Sequence, residues 1–530
     1  MTRWDAIVVG GGHNGLVCAA YLARAGRKVL VLERRHVLGG AAVTEELHPG
    51  FRYSVCSYVV SLLRPDIIRE LELPRHGLTL LPLECSFSPA LPGEGPGLVR
   101  WPDAARTREE IAAYSPRDAD RYPEFGRAMQ ALARRIKPLI DRPPPDPLSL
   151  NPAELMETAS LLEPFRDLGP RGVRDFVKMM TMSSLDYLRE WFEADALIAP
   201  MAVSGIIGTF LGVSSPGTAY VLLHHYMGEI DGVARAWGLA KGGTGQVSEA
   251  IASAARAHGV TIQTEASVER VLVKKGEAVG VALDDGTELH ARVVVSSLDP
   301  RATFLRLLDP KLLPDELVAD IRRYRLRGSS GKVNLALDAL PELACRPGDG
   351  LHLRGDLAVG PTVDYLEQAY EDAKYGGYSK RPYLNVVIPS LTDPTVAPEG
   401  KHVLSAFVQY APYALEGGPQ RWEQEREAFG DVVMDTLESF APGIKERVLH
   451  RQVLTPWDLE QQFGLSEGNI FHGELSLEQL AFLRPAPGWA RYATPLPRYW
   501  MCGSGTHPGG GIMGAPGKLA AMRLLGERLV

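Results

Sequence analysis

Cysteine is scarce in this chain: Cys18, Cys56, Cys85, Cys345 and Cys502 are the five among 530 residues. They are odd in number, widely separated and never spaced C-x-x-C, which argues against a disulfide framework, a zinc site and a redox dithiol together. Each reads as a small buried apolar residue in a reducing compartment. Positive charge is also in deficit. The net charge of -7 leaves no electrostatic footprint for nucleic acid, and the short basic run Arg322, Arg323, Arg325 and Arg327 reads as a solvated helix face. There is no H-E-x-x-H, no Ser/His/Asp ordering and no repeat of fixed period, so no metal site and no catalytic side chain is assigned. Residues Met1 to Asp5 run straight into a strand without a signal or transit peptide, and a cytoplasmic protein is expected.

One uncharged run is long enough to span a bilayer, Ala196 to Leu223. Pro200, Gly205, Gly208, Gly212, Pro216 and Gly217 break it, and Ser204, Thr209, Ser214 and Ser215 punctuate it. It reads as a buried helix-turn-helix lining an apolar cavity, with peripheral membrane contact as the alternative. The whole chain, 45% hydrophobic and 23% charged, has the composition of an ordinary globular protein and the length of two to four domains.

The opening "WDAIVVGGGHNGLVCAAYLARAGRKVLVLERR" predicts a strand at Ala6 to Val9, a helix at Asn14 to Ala25 and a strand at Lys28 to Leu32. Residues 50–110 predict short strands between Pro/Gly turns. Ser115 caps a helix running towards Lys137, and "DRPPPDP" (Asp141 to Pro147) is a stiff connector before a helical region at Pro152 to Met227. A helix at Gln246 to Ala257 then leads into strands at Thr261 to Gln263, Val268 to Lys274, Ala278 to Leu283 and Arg292 to Val295, with a hairpin turn at Asp284 to Gly286. Tyr383 to Pro389 and Val403 to Tyr410 belong to a second sheet.

Gly10-x-Gly12-x-x-Gly15 follows a strand and opens a helix, and Glu33 ends the next strand. The first glycine allows the tight turn, the second lets backbone approach a pyrophosphate, and the third lets helix and strand pack closely. The helix N-terminus offers N–H groups to the phosphates, and the acid accepts hydrogen bonds from a ribose. Gly39 and Gly40 just after Glu33 favour FAD over NAD, and an acid at position 33 disfavours NADP. No second motif follows: "AKGGTGQV" (Ala240 to Val247) lacks a preceding strand pattern and a downstream acid.

Three blocks, "VVGGGHNGLVCAAYLARAGRKVLVLERR", "YMGEIDGVARAWGLAKGGTGQVSEAIASAARAHGVTIQTEASVERVLV" and "YWMCGSGTHPGGGIMGAPGKLAA", resemble the phytoene desaturase-like FAD oxidoreductases, which include carotenoid desaturases, carotenoid isomerases and retinol saturase. A narrower likeness is to a subgroup named for pyridine nucleotide-disulfide oxidoreductase domains, although the C-x-x-C that such a name requires is missing. The resemblance implies an α/β fold with an α+β substrate region: a glutathione-reductase-like FAD-binding Rossmann domain from residues 1–72, 234–303 and 496–530, and a mixed-sheet and helical substrate domain from 73–233 and 304–495. It implies N-terminal FAD contacts at Gly10, Gly12, Gly15, Glu33, Gly39 and Gly40, an adenine contact at Val268, and a segment beneath the flavin at Gly503, Gly505, Gly511, Ile512, Met513 and Gly514. The residues themselves agree for that last segment: "RYWMC" reads as a strand, "GSG" as a turn open to a ligand, and the helix from Ala515 as a positive end directed at the flavin.

His507 reads as a strut of its turn, His13 as a surface or supporting residue, and His224 with His225 as a satisfied core pair. The expected function is an FAD-dependent oxidoreductase acting on a hydrophobic substrate of isoprenoid or polyene type by hydride transfer at flavin N5, with quinone, oxygen or a protein as electron acceptor. An amine-oxidase-like flavoenzyme and a flavin-holding regulatory protein are the alternatives; the aromatic cage of the former is not located in the sequence.

Overall fold

The computed structural model describes residues 3–146, 152–161, 163–166 and 168–526. The apolar run WDAIVV forms β1, Trp4–Val9; the helix α1, His13–Arg24, follows, and VLVL forms β2, Val29–Leu32. β1 and β2 pair in parallel, Ala6 opposite Val29 and Val9 opposite Leu32. Strands covered on both faces need continuous apolar sequence, and every residue of β2 is buried. Thr261–Gln263 joins β2 on one side; Glu288–Ser296 and then Tyr499–Met501 join β1 on the other, all in parallel. One sheet therefore collects strands from the beginning, middle and end of the chain. Val268–Lys274 and Glu277–Leu283 extend it as an antiparallel meander.

α1 is rich in alanine, and its small side chains let the helices Gly245–Ala257 and Ala515–Gly526 pack on it within a single core. Gly517 marks the closest approach: a Cβ there would stand 2.1 Å from the Asn14 carbonyl oxygen.

The second sheet runs Val448–Leu454, Ser330–Leu337, His402–Gln409, Tyr383–Val387, Asp356–Val359, Ser86–Ser88, Leu98–Arg100. Its strands are antiparallel except for the parallel pair formed by Asp356–Val359 and Ser86–Ser88. Strand alternation divides Ser330–Leu337 into two faces. Val333, Leu335 and Leu337 pack with Phe429, Val433 and Leu437 of the helix Trp422–Phe440. Lys332 and Asn334, on the opposite face, meet Ser405 on the neighbouring strand.

The helical region differs from a membrane anchor. Leu197 to Ala202 of the helix Asp195–Ala202 and every residue of the helix Thr218–Tyr226 are buried, so the uncharged run is a helix-turn-helix in the core. Among the described residues no helix is long and apolar enough to cross a membrane. Residues 50–110 depart from an all-strand reading, because Pro65–Glu70 and Ala104–Ala112 are helices. The proline-rich connector has no regular structure up to Asp146, and Pro147 lies outside the described residues. A strand unforeseen in the sequence, Gly238–Ala240, precedes "KGGTG" but pairs antiparallel with Leu80–Pro82, away from the first sheet. The amides of Thr244 and Gly245 donate to Ser54 Oγ and Thr44 Oγ1, so protein hydroxyls occupy them at the start of that helix.

Ser115 caps the helix Pro116–Ile140, which buries Phe125, Met129, Leu132, Ile136 and Ile140 along one face. Asp118 in its first turn is fully buried, and its carboxylate accepts from the Glu193 and Ala194 amides at 2.9 and 2.8 Å. Replacing Asp118 by Ala removes the acceptor of both partly buried amides. Urea unfolding of D118A should show a loss of about 1–3 kcal/mol, and an unchanged midpoint would show that this contact carries no weight.

Candidate functional site

Backbones cross closely where β1 meets α1, and glycine is demanded for two different reasons. A Cβ on Gly15 would stand 2.3 Å from the Gly10 carbonyl oxygen, and one on Gly503 would stand 2.4 Å from that of Ser297. Gly39, at φ 118°, packs in the same way on the Ala42 carbonyl, and Gly505 packs on the Pro300 ring. Gly10 turns the chain at φ 98°, with Ser297 Oγ donating to its carbonyl at 3.0 Å. These residues close the protein on itself. A Cβ on Gly12 would meet nothing within 4 Å, and one on Gly40 only the Gly12 Cα at 3.6 Å, so these two leave an open backbone face.

That face borders a cavity of about 410 Å³ lined by Gly10, Gly12, Gly15, Glu33, Gly39, Gly40 and Val268, a size suited to ligands. Glu33 accepts from the Gly11 amide at 2.8 Å and the Arg35 amide at 2.9 Å, which aims its carboxylate along the cavity wall. The first amides of α1 lack intrahelical acceptors and carry the positive end of the helix dipole. Asn14, Arg34, Arg35, Arg306 and Ser504 also line the cavity. Asn14 donates to Ser504 Oγ at 3.0 Å, while its buried Oδ1 has no partner among the described residues. An open glycine face, a basic rim, a carboxylate on the wall and an unpaired amide oxygen together fit a dinucleotide such as FAD.

The C-terminal residues divide. Gly511 and Ile512 line a second, apolar cavity of about 120 Å³ with His13, Tyr58, Lys332, Phe407 and Phe471. Gly503 and Gly505 lie behind the glycine crossing, Met513 is buried with its carbonyl accepting from the Arg64 amide, and Gly514 turns at φ 75° against Ile67. These four shape the segment. His13, Ala41 and Ile470 line both cavities, so the two are neighbours.

Of the two places expected for His13, surface or supporting, the structure gives the supporting one. Its Nε2 lies 3.1 Å from the Gly511 carbonyl, joining the first glycine segment to the last. Burial, then nearby His472, lower its pKa to about 4 against the opposing effect of that carbonyl; at neutral pH the ring is uncharged and Nε2–H donates. His507 is a strut to the Leu139 carbonyl at 3.0 Å, and burial lowers its pKa to about 4. His225 borders the apolar cavity and bonds the Val221 carbonyl, while His224 beside it is buried, with its pKa lowered to about 3 by desolvation and then by His225.

Three features escaped the sequence reading. Arg484 is fully buried and donates to the carbonyls of Phe471, Gly473, Glu474, Gln479 and Ser504, clamping the 471–479 loop onto the C-terminal glycine segment. Lys332 donates to Ser405 Oγ at 2.5 Å and the Ser54 carbonyl at 3.1 Å, beneath the Tyr58 ring; burial brings its pKa down to about 7. Tyr58 and Phe407 stack with centroids 5.7 Å apart, an aromatic pair at the cavity wall. Each partner lies far away in sequence, and only the alternation of polar with apolar residues in SGKVNLAL hinted at Lys332.

Residues 192–525 match the flavin-containing amine oxidoreductase family, and residues 8–69 match an NAD(P)-binding Rossmann-like domain. The rat protein named pyridine nucleotide-disulfide oxidoreductase domain-containing protein 2 is 43% identical over 98% of this chain and 93% of its own length. A neurosporene-forming phytoene desaturase of Cereibacter sphaeroides is 25% identical over 98% of this chain and 94% of its own. In fold, the chain is similar to an oxidoreductase of Methanosarcina mazei, with a TM-score of 0.61 at 19% identity, covering 98% of this chain and 99% of that one.

Gly15→Ala should yield protein that purifies without visible flavin absorbance, because the Gly10 carbonyl must move and take the turn with it; retained flavin would refute the crowding argument. The buried histidines make a second prediction. Their folded pKa values lie below the unfolded value of 6.5, so the unfolded state binds more protons and stability falls as pH drops from about 6.5 towards 4. Urea titrations across that range should show the fall. His507→Gln, which keeps a donor for Leu139, should reduce the slope by up to about 1.4 kcal/mol per pH unit.

Proposed function

The chain belongs to the flavin-containing amine oxidoreductase family and is an FAD-dependent oxidoreductase, and we propose that its substrate is hydrophobic, of isoprenoid or polyene type, and reacts by hydride transfer at flavin N5. The observation that carries this reading is the apolar cavity at Gly511 and Ile512, adjoining the glycine-lined one through His13, Ala41 and Ile470. FAD, when bound, supplies a two-electron hydride acceptor or donor.

Gly12, Gly40 and the first amides of α1 would hold the pyrophosphate, Glu33 the adenosine ribose, and Val268 the adenine end. We assign this cofactor unit to the glutathione-reductase-like class, built from residues 1–72, 234–303 and 496–530, with the substrate region in 73–233 and 304–495. Tyr58, Phe407, Ile207 and Phe471 exclude water and orient an apolar chain. Lys332 Nζ, with a pKa of about 7, can take up or release a proton at the cavity wall near neutral pH. The electron acceptor in this reading is a quinone, oxygen or a protein, and the setting is the cytoplasm.

The stacked Tyr58 and Phe407 rings favour amine oxidation as a second reading. An ammonium group would find no carboxylate among the described residues of that lining and would meet Lys332, so the hydrocarbon reading leads. Anaerobic mixing with acyclic polyenes should bleach the flavin absorbance. Ile207→Trp, which narrows the cavity at a distance from the glycine cradle, should slow bleaching about tenfold or more, a barrier increase of about 1.4 kcal/mol, with flavin content unchanged. Bleaching by alkylamines but by no polyene would transfer the assignment to the second reading.

A further inference from the structure

Beyond the apolar cavity lies a larger chamber of about 440 Å³, and Ile207, His225 and Trp237 line both. Its chemistry changes with distance from the glycine cradle. Arg100, at the end of an edge strand, and Arg235, next to the hairpin of Glu229–Ile230 and Val233–Ala234, both line it with Tyr122 and Asp356.

The bonds of these arginines go to hydroxyls. Arg100 Nη2 donates to Ser86 Oγ at 2.7 Å, and Arg235 Nη1 to Tyr122 Oη at 3.5 Å, while the Arg235 guanidinium lies 4.1 Å over the Tyr226 ring. Burial would raise the Tyr122 pKa, but Arg235 and Arg100 outweigh it and hold the phenol below its ordinary value. Asp356 takes its hydrogen bonds from Ser86 and Asn385, and its carboxyl is pushed up by burial more than Arg100 holds it down. A second carboxylate, Asp231, is exposed in the hairpin turn, where water screens it. His225 is buried with its pKa lowered and carries no charge at neutral pH. Two guanidiniums thus face one inner carboxyl, an excess of about one positive charge in a partly dry chamber. Arg235 also adopts φ 64°, a conformation that a non-glycine residue keeps only where its surroundings impose it.

We propose that this chamber is a carboxylate subsite: the substrate is a slender apolar molecule with a single terminal carboxylate, held by Arg100 and Arg235 while its apolar part passes Ile207 and Trp237 towards Gly511 and Ile512. Planar guanidiniums recognise carboxylates by paired hydrogen bonds. The single unit of excess charge matches a monocarboxylate better than a phosphate dianion, and the narrow inner cavity admits a chain rather than a bulky group. The inference deepens the apolar-substrate reading and rests on it.

Calorimetric titration of the flavin-loaded protein with dodecanoate, dodecanol and dodecyl phosphate, each below its micelle concentration, tests it. Dodecanoate should bind at least tenfold tighter than dodecanol. Arg100→Gln and Arg235→Gln should each bring dodecanoate down to the level of dodecanol while leaving dodecanol binding and flavin absorbance unchanged. Equal binding of dodecanoate and dodecanol by the unmodified protein overturns the subsite without recourse to a variant, and leaves the apolar-substrate reading standing. Tighter binding of dodecyl phosphate overturns the carboxylate assignment, as does dodecanoate binding insensitive to both substitutions. If neither dodecanoate nor dodecanol binds, the apolar-substrate reading falls as well.

Discussion

Close contact between backbones where β1 ends, α1 begins and the Glu288–Ser296 and Tyr499–Met501 strands end is the constraint on which the rest of the structure depends. The Gly10 carbonyl, the Gly15 Cα, the Ser297 carbonyl and Gly503 are packed so tightly that a methyl group at 15 or 503 has no room. Compact packing there lets the strand from the end of the chain join a parallel sheet begun at its start. The same closeness leaves the amides at the start of α1 facing a cavity instead of side chains, so binding capacity follows directly from packing.

Around that crossing the buried polar groups are held by dipoles. Arg484 has five carbonyls around its guanidinium, which offset part of the cost of desolvating a charge. Asp118 is held in the same manner by the amides of Glu193 and Ala194. The neutral rings of His13, His225 and His507 donate to the carbonyls of Gly511, Val221 and Leu139. Basic groups line the two neighbouring cavities: Lys332 the apolar one, Arg100 and Arg235 the larger chamber beyond it. On the proposed reading, walls of that polarity favour apolar and anionic groups over cationic ones.

Local signals were legible in proportion to how local their causes are. The strand-turn-helix-strand unit with Glu33 was readable because turn, helix and acid all lie within about thirty residues, the span of a βαβ unit. The strands Thr261–Gln263 and Val268–Lys274 follow from short alternating patterns. The glycines were readable as a group but not by role: Gly12 and Gly40 face open space, whereas Gly15 and Gly503 make room for other backbone and Gly505 for the Pro300 ring. His13 could be read only as a surface or supporting residue, because nothing near it in sequence announces Gly511, almost the whole chain away. The aromatic pair of Tyr58 and Phe407 was illegible for the same reason.

The sequence by itself determined the cofactor class, through glycine spacing and an acid whose effects operate within one supersecondary unit, and it determined that the uncharged run at 196–223 cannot stay a continuous helix. Only the tertiary structure decided which residues share a wall. The pKa of Lys332, the neutrality of His13 and the excess charge near Arg100 and Arg235 arise from desolvation and from groups brought together over hundreds of residues. Desolvation depends on everything that surrounds a group, and a one-dimensional pattern records only its neighbours in the chain.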